Sequence, residues 1–139
     1  MDSVRTQMLK NAKRRKGRTK RKKPSNKGRE ARVVSHFEHL GDTEVPTPIG
    51  YIDLLNKDFL VEFKYYTDAK GALGQVLCYS HFRPRPRRMI VLFGKGLATW
   101  KAYEHFERIC AIHNVEVFKL SNNYRYKDLK EILGGKKLC

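Results

Sequence analysis

Three charged residues interrupt apolar runs in the middle of the chain, where a core would be expected. Asp53 closes the run 51–53, and Glu62 and Lys64 lie within the run 59–65. Side chains alternate along a strand, so Glu62 and Lys64 share one face. Two carboxylates and an ammonium at one end of an apolar sheet are costly unless they pair or hold a metal ion. The pattern therefore predicts a functional site.

The two runs are predicted to form a β-hairpin. Strands over residues 50–55 and 59–65 flank a polar turn, Asn56-Lys57-Asp58. An antiparallel hairpin through this turn places Asp53 beside Glu62. The hairpin is therefore expected to bring both carboxylates to one position.

Phosphodiester hydrolysis is chemistry that such a group can perform. A divalent metal ion acts as a Lewis acid and lowers the pKa of its bound water. Mg²⁺ prefers oxygen ligands and keeps several waters, so one or two carboxylates and a carbonyl suffice. Asp53 and Glu62 would supply the carboxylates, and Phe63 would supply the carbonyl. Lys64 could orient or deprotonate the attacking water and offset developing charge.

The remaining periodicities predict the elements that position this hairpin. Apolar residues at helical spacing predict helices, and short continuous runs predict buried strands. Gly71 and Gly74 inside the second helix suggest a close approach to the sheet or to a ligand. The elements flanking the hairpin are a helix over 29–40, an extended segment over 43–49, a helix over 69–82, a strand over 89–93, a helix over 98–113, a strand over 115–120 and a helix over 126–133. This order predicts an α/β fold with a mixed central sheet flanked by helices.

Asp53 followed by Glu62-Phe63-Lys64 resembles the motif of the PD-(D/E)xK nuclease superfamily. Glu30 matches a glutamate that many members carry on the helix before the hairpin. The segment Gln75 to Tyr79 is similar to the QxxxY motif of the RecB-like and Cas4-like branch. The resemblance spans about residues 30–119 and is greatest to small stand-alone nucleases of large DNA viruses and phages. It departs from the motif at Ile52, where the family commonly has proline.

The resemblance implies a restriction-endonuclease-like αβββαβ core and a metal-dependent nuclease that cuts DNA. The cutting is expected to be structure-selective or weakly sequence-specific and to serve repair, recombination or replication. Mg²⁺ is the implied cofactor, with Mn²⁺ expected to substitute. A homodimer is left open, because many members need one to cut both strands. No membrane or small-molecule substrate is implied. The implied catalytic residues are Asp53, Glu62, Lys64, Gln75, Glu30 and Tyr79, and the implied metal ligands are Asp53, Glu62 and Phe63.

Each of these residues also has a purely structural interpretation. Asp53 could cap a turn, and Glu62 could pair with a lysine at a surface strand. Gln75 could be an exposed helix residue, and Tyr79 could be a core residue with its hydroxyl satisfied. Glu30 is favourable near a helix N-terminus in any case.

Charge divides the chain into a basic arm, residues 1–28, and a nuclease-like domain, residues 29–139. The net charge is +16, and most of it comes from the first residues. Such a segment cannot bury a core, so we expect disorder and a polyanionic partner. The predicted nucleic-acid-binding residues are Lys13, Arg14, Arg15, Lys16, Arg18, Lys20, Arg21, Lys22 and Lys23 in the arm, and Arg83, Arg85, Arg87 and Arg88 in a proline-containing loop.

Two features of the composition bear on the compartment. Three cysteines without a CxxC motif favour a reducing, intracellular environment. The arm could serve as a nuclear localisation signal, so the nucleus, a viral factory or the virion are the expected locations.

The alternative to a nuclease is a non-catalytic protein that binds or packages DNA on the same fold, and an RNase on the same site is a third option.

Overall fold

The computed structural model describes residues 26–120 and 125–134, so the arm cations from Lys13 to Lys23 lie outside the described residues. Nine elements follow one another: α1 Asn26–Ser35, β1 Asp42–Thr47, β2 Gly50–Leu55, β3 Phe59–Tyr65, α2 Ala69–Phe82, β4 Arg87–Phe93, α3 Tyr103–Ile112, β5 Glu116–Lys119 and α4 Arg125–Leu133. Short 3₁₀ turns lie between several of them. The predicted α/β class and element order are confirmed.

The five strands form one mixed sheet in the order β1-β2-β3-β4-β5. The pairs β1–β2 and β2–β3 are antiparallel, whereas β3–β4 and β4–β5 are parallel. The parallel connections run through α2 and α3, as crossovers between parallel strands require. The segment predicted to be extended, 43–49, contributes to strand β1, which lies at the edge of the sheet.

Helices cover both faces of the sheet. On one face α2 and α3 pack over residues such as Leu60 and Ile90. On the other face α1 and α4 pack over residues such as Val61 and Val91. Because neighbouring residues of β4 enter opposite clusters, β4 is buried on both faces, which explains its continuous apolar sequence.

Strand β2 changes faces at Asp53. Leu55 and Ile52 belong to the cluster under α2 and α3, whereas Leu54 belongs to the opposite cluster. Strict alternation would put Ile52 with Leu54. Glu44, at the matching position of β1, has a left-handed φ of 49°. The outer half of the β1–β2 hairpin therefore leaves the plane of the sheet and follows α2.

Two helix predictions need correction. The helix predicted over 29–40 begins at Asn26 and ends at Ser35, and a separate 3₁₀ turn spans Glu38–Leu40. The helix predicted over 98–113 begins only at Tyr103, because Gly96 has a left-handed φ of 103° and a 3₁₀ turn follows it. Helical periodicity continues through such turns, so the pattern alone did not separate them.

The glycines of α2 also differ from expectation. A Cβ atom added at Gly71 or Gly74 would meet nothing within 4 Å. The suggestion that these glycines permit a close approach to the sheet is therefore wrong.

Candidate active site

The acid pair lies where the β2–β3 ladder ends. Backbone pairing joins Leu54 to Val61 and Leu55 to Leu60, and Asp53 and Glu62 follow directly. The Asp53 N–H donates to Glu62 Oε1 at 3.1 Å, and the Phe63 N–H donates to Asp53 Oδ2 at 2.8 Å. Carboxylates thus replace carbonyls as backbone acceptors, and the predicted juxtaposition of Asp53 and Glu62 is confirmed.

Burial controls the charge state of this pair. Glu62 is buried, with only 2% of its surface exposed to solvent. Loss of solvation, and then the charge of Asp53, raise the pKa of Glu62 to about 9. Loss of solvation also raises the pKa of Asp53, against the opposing hydrogen bond from Phe63. Two carboxyl groups in such surroundings hold one proton between them near neutral pH.

Lys64 extends the site toward α1. Its Nζ atom lies 3.8 Å from Oε1 of Glu30, and both side chains are mostly buried. Burial raises the pKa of Glu30, while the charge of Lys64 lowers it. Lys64 also lowers the pKa of both Asp53 and Glu62. The structure therefore brings four predicted residues together, with Lys64 between Glu30 and the acid pair.

Helix α2 contributes the two remaining predicted residues. Burial raises the pKa of Tyr79, and the charges of Glu62 and Asp53 raise it further. Hydrogen bonds with the Gln75 side chain and the Tyr51 backbone act in the opposite direction. Tyr79 is thus a buried residue whose hydroxyl is hydrogen-bonded, in agreement with its structural interpretation. It is also close enough to both acids for their charges to shift its pKa.

Gly50 makes room for this tyrosine. Its φ of 152° favours glycine, and a Cβ atom there would collide with the Tyr79 hydroxyl. Gln75 is half-buried rather than an exposed helix residue, and its Oε1 atom has no hydrogen-bond partner among the described residues. This unsatisfied buried acceptor belongs to a side chain that contacts Tyr79.

These donors suit a hard divalent cation. The set consists of oxygen atoms only, from two carboxylates and a neighbouring backbone carbonyl, which is the chemistry Mg²⁺ prefers. No group of three or more His, Cys, Asp or Glu side chains with a metal-site arrangement occurs in residues 26–120 and 125–134. The residues therefore fit a cation that keeps several waters, with Asp53, Glu62 and the Phe63 carbonyl as its protein ligands.

The predicted basic loop leads into β4, and its last two arginines lie on that strand. Arg87 and Arg88 pair with Phe59 and Leu60 at the start of β3, whereas Glu62 pairs with Ile90, two residues beyond Arg88. Two residues of strand span roughly 7 Å, so the start of β4 lies near the acid pair.

Three of the four loop arginines also make contacts within the chain. Arg87 forms an ion pair with Glu116, and its guanidinium lies 4.3 Å from the centre of the Phe59 ring. Arg85 donates to the carbonyl of Asn56 at 2.7 Å, and Arg88 donates to the carbonyl of His113. Arg83 is exposed. Structural contacts account for much of this charge cluster, and its binding to nucleic acid stays a prediction.

Two residues that support the site were not predicted from the sequence. Glu44 lies near enough to raise the pKa of Asp53, a proximity that counting back through the β1–β2 turn would have indicated. Asn56 anchors the hairpin turn, because its Oδ1 accepts from the backbone N–H of Asp58 and Phe59 at 2.9 and 2.8 Å. Its Nδ2 donates to the carbonyls of Leu40 and Leu133 at 3.2 and 3.1 Å.

The fold and site together define an α/β protein with a buried acid pair whose pKa values are raised and with an adjacent lysine. Comparison with known proteins gives three relatives from Acanthamoeba polyphaga mimivirus, each named as a KilA-N domain-containing protein. One is 38% identical over 74 residues, covering 51% of this chain and 21% of the relative. A second is 45% identical over 53 residues, covering 38% and 14%, respectively.

The third relative is 31% identical over 77 residues, covering 55% of this chain and 30% of its own length. The chain thus spans less than a third of each of these curated relatives. No protein-family model matches the chain, and no solved structure matches it. Within the described ranges, no helix is both long and apolar enough to cross a membrane.

Proposed function

We propose that the chain is a metal-dependent nuclease that hydrolyses phosphodiester bonds in DNA. The observation that carries this proposal is the buried acid pair, in which Glu62 accepts from the Asp53 N–H and Asp53 accepts from the Phe63 N–H, with Lys64 two residues further along β3. A buried pair with raised pKa values is costly for folding, and a divalent cation would replace the shared proton favourably. Perturbed acids of this kind are typical of functional sites.

Each side chain has a definable role in this reaction. Mg²⁺, or Mn²⁺ in its place, would supply Lewis acidity and an activated water when held by Asp53, Glu62 and the Phe63 carbonyl. Lys64 offsets the negative charge that develops on the phosphate and orients the attacking water. Glu30, with its Oε1 3.8 Å from the Nζ of Lys64, holds the ammonium in place. These roles require the lysine to remain mobile enough to turn toward the phosphate.

Gln75 and Tyr79 would position groups without changing charge. The free Oε1 of Gln75 can accept a hydrogen bond from a metal-bound water or a substrate hydroxyl. Tyr79 holds the hairpin tip through the backbone of Tyr51 and keeps α2 against the acid pair. Tyr79 is therefore assigned a positioning role.

A non-catalytic DNA-binding protein is the second candidate. The net charge of +16 favours binding to a polyanion regardless of cleavage. The similarity to mimivirus proteins supports a viral origin, and a viral factory, the virion or the host nucleus would then be the site of action. An RNase on the same residues, and a homodimer as the active form, are proposals that the same assays address.

Purified protein incubated with labelled DNA tests the proposal. The substrates are duplex, single-stranded, flapped and four-way DNA, with RNA of the same sequence, each in Mg²⁺ or in chelator. The variant Asp53→Asn removes one acid from the pair, and Asp42→Asn is the matched control because Asp42 is an exposed carboxylate on edge strand β1.

Cleavage in Mg²⁺ that stops in chelator and in Asp53→Asn, but continues in Asp42→Asn, supports the nuclease. Binding should survive in Asp53→Asn, since removing a carboxylate relieves repulsion of the phosphate. If tight binding is seen with no metal-dependent cutting of any substrate, the nuclease proposal is wrong and the binding protein is favoured.

A further inference from the structure

An open groove of about 500 Å³ lies on the α1–α4 side of the sheet and contains none of the arginines and lysines predicted for nucleic-acid binding. It is formed by one face of α1, the ends of β3 and β4, and the start of α4. Its lining residues are Arg29, Arg32, Val33, His36, Tyr65, Phe93, Gly94, Lys95 and Tyr126. These include three cations and two tyrosines, and no carboxylate.

We propose that this groove binds a single-stranded segment of nucleic acid adjoining the scissile phosphate. The proposal rests on the nuclease function above and names the form of its substrate. Cations that track a backbone, together with aromatic rings on which bases stack, are the two components of single-strand sites. Both components are present in the groove, whereas the arginine loop at the opposite end of the strands is largely engaged within the chain.

Two of the cations lie on one face of α1. Arg29 and Arg32 are three residues apart on the helix, and His36 lies in the turn that follows it. Three residues of helix span roughly 4.5 Å, so the two guanidinium groups can contact neighbouring phosphates of an extended strand. Lys95 is exposed on the opposite wall. A strand running along α1 would therefore have cations on both sides.

The aromatic rings are held by packing. Tyr65 lies against Gly94, where φ is 124° and a side chain would collide with the ring. The Arg29 guanidinium lies 5.2 Å from the centre of the Tyr65 ring. Tyr126 stacks on Phe37, with ring centres 5.6 Å apart and planes 9° apart. Rings fixed in this way lose little freedom when a base stacks on them.

The groove is continuous with the site along two elements. Tyr65 follows Lys64 on β3, and Arg29 precedes Glu30 on α1, so the ion pair between Lys64 and Glu30 lies at the border of groove and site. The volume falls within the roughly 300–1,000 Å³ that holds drug-sized ligands, so it fits one or two nucleotides. Stacking of a base on Tyr65 or Tyr126 requires that the base be unpaired. A strand in the groove would thus deliver its next phosphate toward Lys64.

Photocrosslinking with the full chain tests this assignment. The probe is a ten-nucleotide thymidine oligomer carrying 4-thiothymidine, mixed with protein that has Asp53→Asn and with chelator, so that cleavage plays no part. Crosslinked peptides are identified by mass spectrometry. We expect crosslinks in the peptides that contain Tyr65 or Tyr126, and strong competition by unlabelled single strands but weak competition by blunt duplex.

A double variant provides the second measurement. Arg32→Ala with Lys95→Ala should reduce the groove crosslinks at least tenfold and lower the salt slope of oligomer binding by about 1.4, the value for two lost contacts to a single strand. Arg108→Ala with Lys101→Ala, on exposed positions outside the groove, removes the same charge and should leave both values near those of the parent.

Crosslinks that map only outside the groove would overturn the proposal, as would equal losses in the two double variants or equal competition by duplex. These outcomes are separate from the nuclease test, because binding is measured without metal or cleavage. Groove binding in a protein that cuts nothing would remove the proposed function and leave the groove assignment standing.

Discussion

Replacing Glu62 by glutamine should make the folded protein less sensitive to pH. Glutamine has nearly the same shape, is always neutral and can donate to Asp53, so it imitates the protonated acid. In wild type, the pKa of Glu62 rises from 4.5 in the unfolded chain to about 9 in the fold. Between these values the unfolded chain releases a proton that the folded chain keeps, so stability falls as pH rises.

The size of the effect follows from this linkage. One proton retained by the folded state costs about 1.4 kcal/mol per pH unit. From pH 5.5 to 8.5, metal-free wild type should therefore lose up to roughly 4 kcal/mol relative to Glu62→Gln. Titration of groups that do not contact Glu62 affects both proteins equally and cancels in the difference. At high pH the variant should be the more stable protein.

Urea denaturation in chelator at several pH values measures this difference. Glu104→Gln is the matched control, because Glu104 is an exposed glutamate on α3. Adding Mg²⁺ should restore wild-type stability increasingly as pH rises, since the cation competes with the shared proton, and should do nothing for Glu62→Gln. Parallel stability curves for wild type and Glu62→Gln would refute the proton-sharing pair.

Three further substitutions probe the elements that hold the site. Lys64→Met should lower the cleavage rate by about 10²–10⁴-fold with little change in the melting temperature, and an unchanged rate would exclude a role in the reaction. Asn56→Ala should destabilise the protein by about 2–4 kcal/mol in urea, because it removes four hydrogen bonds to backbone groups, and a loss below about 1 kcal/mol would contradict the anchoring role. Gly50→Ala should lower the free energy of unfolding by about 1–3 kcal/mol. Adding Tyr79→Phe should recover part of that loss, because the new Cβ collides with the tyrosine hydroxyl. If the losses of the two substitutions simply add, backbone strain alone is responsible.

Local sequence patterns predicted the centre of the fold well. The polar turn and the alternating residues of β2 and β3 determined the register, and with it the contact between Asp53 and Glu62. The charged residues within apolar runs identified the site, because a carboxylate at a buried strand position is unfavourable unless it is paired or binds a ligand. These features depend on residues close in sequence, which is why a single chain sufficed.

Features that depend on long-range contacts were not predictable. The role of Asn56 requires knowing that Leu40 and Leu133 come together at the hairpin turn. The arginine loop looked free in the sequence, yet Glu116 and the carbonyl of His113 reach it from β5 and the preceding turn. The groove joins α1, β3, β4 and α4, which no local pattern connects.

The end of the β2–β3 ladder at Asp53 has a consequence for folding fidelity. A slip of the hairpin by one residue would put Leu54 or Ile52 opposite Glu62 and leave the Phe63 N–H without its carboxylate acceptor. The slipped chain would bury an unpaired acid and expose leucine, so the misaligned hairpin is penalised twice. The acid pair thus favours the correct register of the hairpin during folding. The same pairing of β2 and β3 that completes the sheet also brings Asp53 and Glu62 together.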